Sequence, residues 1–144
     1  MTYCRHNPIE ETLGLPDVVE RVNAYQYQKE FSELQLVRCS TVHGNLVVAD
    51  LREEDPIYTC NRFLIYALNP ECYVSMHLMP GTEEGTTTIS VGKSILDRSS
   101  KTNIGSLLLE FGGGGHEAAG GCKIKNEDAE AVVGQLIERI TADG

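Results

Sequence analysis

Phe111-Gly112-Gly113-Gly114-Gly115-His116-Glu117-Ala118-Ala119-Gly120-Gly121 is the stretch on which the reading of this chain turns. Six of its eleven residues are glycine, and each glycine ordered in a fold costs roughly 0.5–1 kcal/mol relative to alanine. A helix C-cap explains one such glycine, or two. Four in a row followed by histidine point further, to a backbone that turns unusually or that another molecule approaches closely. Successive glycines can turn neighbouring N–H groups into one concavity that holds an anionic oxygen. His116 adds a switchable donor beside it.

Outward from that stretch the flanks read as regular structure. Ile104, Leu107, Leu108 and Phe111 follow helical spacing, and a strand is expected over 118–124. Asn126 is placed to cap a last helix with the stripe Ala129, Val132, Val133, Leu136 and Ile140. Upstream, Leu15-Pro16-Asp17 opens a helix with Val18, Val22 and Tyr25 on one face. The runs 34–42 and 46–51 read as a hairpin around His43-Gly44-Asn45. Asp55-Pro56 signals a helix that ends at Asn69-Pro70. Two more strands are expected over 72–79 and 86–91. The sum is an α/β domain, a mixed β-sheet of about five strands with helices packed on it, preceded by a linker helix. Residues 1–33 form the N-terminal segment and linker, and 34–144 the folded domain.

Composition narrows the function. The 144 residues are 41% hydrophobic and 23% charged, as in ordinary globular proteins. Five scattered cysteines without a CxxC pair argue for free thiols rather than a disulfide framework or thiolate zinc site. No apolar run is long enough to span a membrane and no signal peptide opens the chain, so a cytoplasmic location without membrane partners is expected. The net charge of −9 opposes generic polyanion binding, which depends on clustered Lys and Arg. Phosphate recognition here has to be local. Thr87-Thr88-Ile89-Ser90-Val91-Gly92-Lys93-Ser94 resembles the tail of a P-loop, but its first glycine is missing and no helix signal starts at Lys93.

Gly-Gly-Gly-Gly-His-Glu-Ala-Ala-Gly-Gly resembles the GGGH-x-x-A-A/S-G signature of the DHHA1 domain, the C-terminal domain of DHH-family phosphoesterases (nanoRNases, pAp phosphatases, cyclic-dinucleotide phosphodiesterases and exopolyphosphatase-like proteins). The likeness extends from Leu34 to the C-terminus, with 12–30 resembling the linker helix. It implies that Gly112, Gly113, Gly114, Gly115 and His116 contact the phosphate or nucleobase end of a substrate. It also implies an Arg-Ser pair that holds a phosphate after the preceding strand. Lys93-Ser94 matches that pair by position and Arg98-Ser99 by residue type, and the guanidinium's bidentate fork favours Arg98.

In that family a cluster of Asp and His residues, Asp-His-His among them, holds two Mn²⁺ or Mg²⁺ ions. This chain has no Asp-His-His, and its histidines stand at 6, 43, 77 and 116. His43 reads as a turn residue and His77 as a plain strand residue. The resemblance therefore implies no catalytic residue and no cofactor within this stretch. The metal ions are expected in a DHH catalytic domain of the same full-length protein, and the chain alone is not expected to hydrolyse its ligand. Implied partners are that domain and a phosphorylated small molecule or short oligonucleotide; homodimerisation stays open. A second function class, the tRNA-binding C-terminal module of alanyl-tRNA synthetases, calls for a more basic surface. A third has the glycine motif merely docking the partner domain.

Overall fold

A computed structural model describes residues 3–144. After a short 3₁₀ turn at Tyr3–Arg5 the elements are α1 (Ile9–Leu13), α2 (Pro16–Cys39), β1 (Ser40–His43), β2 (Leu46–Asp50), α3 (Leu64–Leu68), β3 (Val74–Pro80), β4 (Thr86–Lys93), α4 (Ile104–Leu109), β5 (Gly114–His116), β6 (Ala119–Lys125) and α5 (Asn126–Ala142). One six-stranded sheet has the order β1-β2-β3-β4-β6-β5. Only β2 and β3 run parallel, joined by the crossover that carries α3; the remaining pairs are antiparallel. The α/β architecture with a mixed sheet thus stands. The sixth strand is formed by the glycine motif itself, expected as a loop, and pairs through Gly114–Gly121 and His116–Ala119.

Two cores follow from the period-two alternation of the strands. Leu46, Val48, Val74, Met76, Leu78, Ile89 and Val91 meet Leu107 and Leu108 of α4 and Val133, Leu136 and Ile140 of α5 on one face. Val47 and Ala49 turn the other way, into a smaller core with Leu36, Ile65, Tyr66 and Cys72 under α2 and α3. That second cover stops at α3. Ser90 and Lys123, on the same face as Val47 and Ala49, are exposed, and Thr88, Gly92, Ala119 and Gly121 are half-buried.

Three expectations require correction. The strand expected from Leu34 begins at Ser40, because α2 continues to Cys39. Tertiary contacts override the strand reading of that run. Ser32, Gln35 and Leu36 are the buried residues, at helical steps, while Leu34 and Val37 are 66% and 62% exposed. Gln35 donates from Nε2 to Glu54 Oε2 (2.7 Å) and Pro56 O (3.0 Å) and accepts from Tyr58 N–H (3.0 Å). Those bonds also explain the second correction. Asp55-Pro56 starts no helix; the chain instead runs along α2, held again where Thr59 N–H donates to Gln28 Oε1, and α3 is limited to Leu64–Leu68. Third, Asn126 is the first residue of α5 rather than its cap, and its Oδ1 accepts from the Thr87 hydroxyl at 2.8 Å.

Candidate functional site

The glycine run is mostly a packing device. α4 is capped at its start by Asn103, whose side chain accepts from Ser106 N–H. At its end Gly112 takes φ +75°, and Gly113 N–H donates to Leu108 O at 2.9 Å. This is the left-handed C-terminal turn that favours glycine. A Cβ on Gly113 would lie 2.2 Å from Gly121 O and 2.5 Å from Cys122 Cβ, and one on Gly115 (φ +154°) 2.3 Å from Ala119 O. The fold therefore demands three of the four glycines. Gly114 is different: a Cβ there meets nothing within 4 Å, and the same holds for Gly92 in β4.

His116 ends β5 at the sheet edge, in one cross-strand row with Ala119, Gly92 and Ser75. Ala118 N–H donates to its Nδ1 at 3.2 Å, so the neutral ring carries its proton on Nε2. With Gly114, Asn103 and Ser106 it borders an open groove of about 380 Å³ between α4 and β5.

A second row, Ala49, His77, Ser90, Gly121 and Gly114, runs parallel to the first. Where it leaves the shelter of α3 there is a pocket of about 80 Å³ lined by Arg62, Phe63, Tyr66, Ser75, His77, Ser90, Gly92 and Lys93. The Arg62 guanidinium stands 4.8 Å from the centre of the Phe63 ring. Tyr66 OH donates to Gly92 O at 2.7 Å and lies 2.9 Å from Ser75 Oγ. Burial holds the His77 imidazole below its ordinary pKa. Ser90 also borders an adjoining trough of about 510 Å³, floored by Gly112, Gly113, Gly120 and Gly121 with Met79, Thr88 and Lys123 at its sides.

The two sites expected to hold a phosphate separate. Lys93 lines the pocket, yet its ammonium is turned to Ser100 O (3.1 Å) and lies 3.8 Å from Glu117 Oε1. No helix follows it before Ile104, so it is no P-loop lysine. Arg98 and Ser99 sit on the exposed loop after β4, outside the pocket and the trough. There Ser99 bonds through its N–H and hydroxyl to Asp97 Oδ1. Arg62 and His77 were not picked out by sequence reasoning. Each is a lone residue of its type in its neighbourhood, and only the approach of α3 to β3 and β4 joins them.

Electrostatics mark the same face. The chain carries 21 Asp and Glu against 12 Lys and Arg, yet no carboxylate lines either the pocket or the trough, while Arg62, Lys93 and Lys123 do. Lys123 is paired from outside the trough by Glu83 (2.8 Å), and other acidic residues collect at the hollow of Asp50, Glu53, Glu84 and Glu130 around Arg52. Among the described residues no three His, Cys, Asp or Glu side chains converge to hold a metal ion. No helix among them is long and apolar enough to cross a membrane. All five cysteines are free thiols; Cys72 and Cys122 are buried, and burial raises both.

The glycine–histidine motif forms the edge strand of the six-stranded mixed sheet, and by its similarity to a solved relative the chain belongs to the DHHA1-type domains of the DHH family. Among solved structures it is similar to the pGpG-specific phosphodiesterase PggH from Vibrio cholerae. That match has 51% identity and a TM-score of 0.89 and covers 99% of this chain and 49% of that one. The chain thus spans about half the length of that relative. The C-Ala domain of Aquifex aeolicus alanyl-tRNA synthetase aligns at 18% identity and a TM-score of 0.48, covering 71% of this chain and 97% of its own length, which decides nothing. No family model and no curated protein matches the sequence.

Proposed function

We propose that this chain is the substrate-gripping domain of a DHH-family phosphodiesterase, and that it presents a short phosphorylated nucleotide to a metal-bearing DHH half. The observation that carries this reading is the uncovered sheet face, whose glycine-floored trough and adjoining pocket are lined by cations and by no carboxylate in an otherwise acidic chain. The cationic side chains of Arg62, Lys93 and Lys123 attract phosphate oxygens there, and the acidic remainder of the surface repels longer polyanions. The solved relative is named for pGpG, and a linear dinucleotide of that kind is the substrate class proposed here. The pocket and trough meet at Ser90, which gives such a ligand one continuous path towards the glycine turn.

The chemistry divides accordingly. Two divalent ions on the DHH half would supply the activated water and the charge stabilisation of phosphoester hydrolysis. The residues of this chain bind and orient. His116 Nε2–H donates to the ligand from the sheet edge, and the bare Gly114 and Gly92 let the ligand lie close to the backbone. Holding the ligand in one orientation before reaction is itself a large part of such catalysis.

The test joins this chain to a DHH half and measures metal-dependent cleavage of pGpG with and without His116→Ala. A lost hydrogen bond to a charged group is worth about 1.5–3 kcal/mol, roughly 10–100-fold in kcat/KM. Unchanged kinetics in the variant would remove His116 from the substrate site. Titrating the chain with tRNA and with pGpG at two salt concentrations separates this reading from a tRNA-binding module.

A further inference from the structure

Arg62 has three features of a ligand clamp rather than of a solvated surface cation. Its guanidinium is set against the Phe63 ring at 4.8 Å, so its planar fork is oriented before anything binds. Among the described residues it makes no ion pair or hydrogen bond, although the chain holds 21 carboxylates. It stands at the mouth of a pocket that no carboxylate lines.

The inner wall of that pocket sorts into occupied and open groups. Tyr66 and Ser75 are engaged with each other and with Gly92 O, and the Lys93 ammonium is held by Ser100 O. His77 and Ser90, opposite each other across β3 and β4, have no partner for imidazole or hydroxyl among the described residues. A guanidinium, an imidazole and a hydroxyl without partners among the described residues therefore line one small volume. At about 80 Å³ the space is well below the roughly 300–1,000 Å³ of sites that enclose a whole small molecule. It excludes a nucleoside and suits a single tetrahedral anion.

We propose that this pocket seats the terminal phosphate of the substrate, with Arg62 closing over it and His77 and Ser90 donating from the sheet. A terminal phosphate offers three strong acceptor oxygens, one for each of the three donors, whereas an internal diester has two unbridged oxygens. The nucleoside part then lies over Ser90 and along the trough towards Gly112 and Gly113. This rests on the nucleotide reading above and deepens it. Arg62 is assigned as the residue by which the domain distinguishes a 5′-phosphorylated end from a 5′-hydroxyl end.

Two titrations of the 144-residue chain test this. In the first, binding of pGpG and of GpG, which lacks the 5′-phosphate, is measured by calorimetry for wild type, Arg62→Ala and the exposed control Lys101→Ala. Wild type and Lys101→Ala are expected to prefer pGpG by about 10–100-fold, the worth of charge-assisted bonds to one phosphate. Arg62→Ala is expected to bind both alike. In the second, inorganic phosphate is followed through the Arg62 Nε–H and His77 ring signals by NMR, and both are expected to shift. If both dinucleotides bind but Arg62→Ala keeps the preference, or wild type shows none, the pocket assignment is wrong and the nucleotide reading survives. If neither dinucleotide binds while inorganic phosphate shifts Arg62 and His77, the anion pocket stands and the nucleotide reading fails. Silence in both titrations overturns both.

Discussion

Alanine at Gly113 and alanine at Gly114 are expected to act in opposite directions, although the two glycines are neighbours in one run. At Gly113 the new Cβ would lie 2.2 Å from Gly121 O, 2.5 Å from Cys122 Cβ and 2.9 Å from Cys122 Cα. These are atoms of β6 itself, not the ends of side chains that could swing away. Relief requires the turn after α4 to lift off β6, and overpacking of that kind costs typically 1–3 kcal/mol. At Gly114 the Cβ meets nothing within 4 Å, and the backbone is not in the left-handed region. Alanine there lowers the entropy of the unfolded chain and stabilises by about 0.4–1 kcal/mol. The two variants are thus separated by roughly 1.5–4 kcal/mol, on the order of 5–15 °C in melting temperature for a domain of this size. Urea titration with matched m-values gives the stability difference directly, and calorimetry with pGpG adds the functional half. Gly114→Ala, the more stable variant, is expected to bind more weakly, because its methyl stands in the groove beside His116. Equal stability of the two variants would refute the packing argument. Unimpaired binding by Gly114→Ala would refute the idea that this glycine is bare to admit a ligand.

Gln35→Ala removes three hydrogen bonds from a residue that is 3% exposed and frees the segment leading to Arg62. A loss of roughly 2–4 kcal/mol is expected, read by urea unfolding, with a reduced preference for pGpG over GpG. His77 sets a pH dependence. Its folded pKa lies below the ordinary 6.5 through burial, so on acidification the unfolded chain takes up the proton first. The stability contribution is complete above about pH 6.5 and is lost as pH falls from there through the folded pKa. His77→Gln is expected to flatten that part of the stability profile between about pH 7.5 and 5.5. An unaltered profile would show that His77 is not the group responsible. His116→Ala and Arg62→Ala complete the set, with the first lowering turnover in the assembled enzyme and the second abolishing the preference for a 5′-phosphate.

What the sequence determined by itself was whatever is encoded within a few residues. The stripe Ala129, Val133, Leu136 and Ile140 fixed α5, Ile104, Leu107 and Leu108 fixed α4, and the Gly44 turn fixed the first hairpin, because helical spacing and turn chemistry are local properties. The glycine–histidine run marked the domain type, since its composition is unusual wherever it occurs. The tertiary structure alone decided why that run is needed: three glycines answer to contacts with β6 and the α4 turn, and Gly114 answers to none. It also decided that α2 continues through Leu34–Cys39, since Gln35 finds its partners 19 to 23 residues further on. The Arg62 pocket was invisible for the same reason. Arg62 precedes α3, His77 lies in β3 and Ser90 in β4, and strand register and the crossover, not sequence proximity, bring a lone arginine, a lone histidine and a serine to one point.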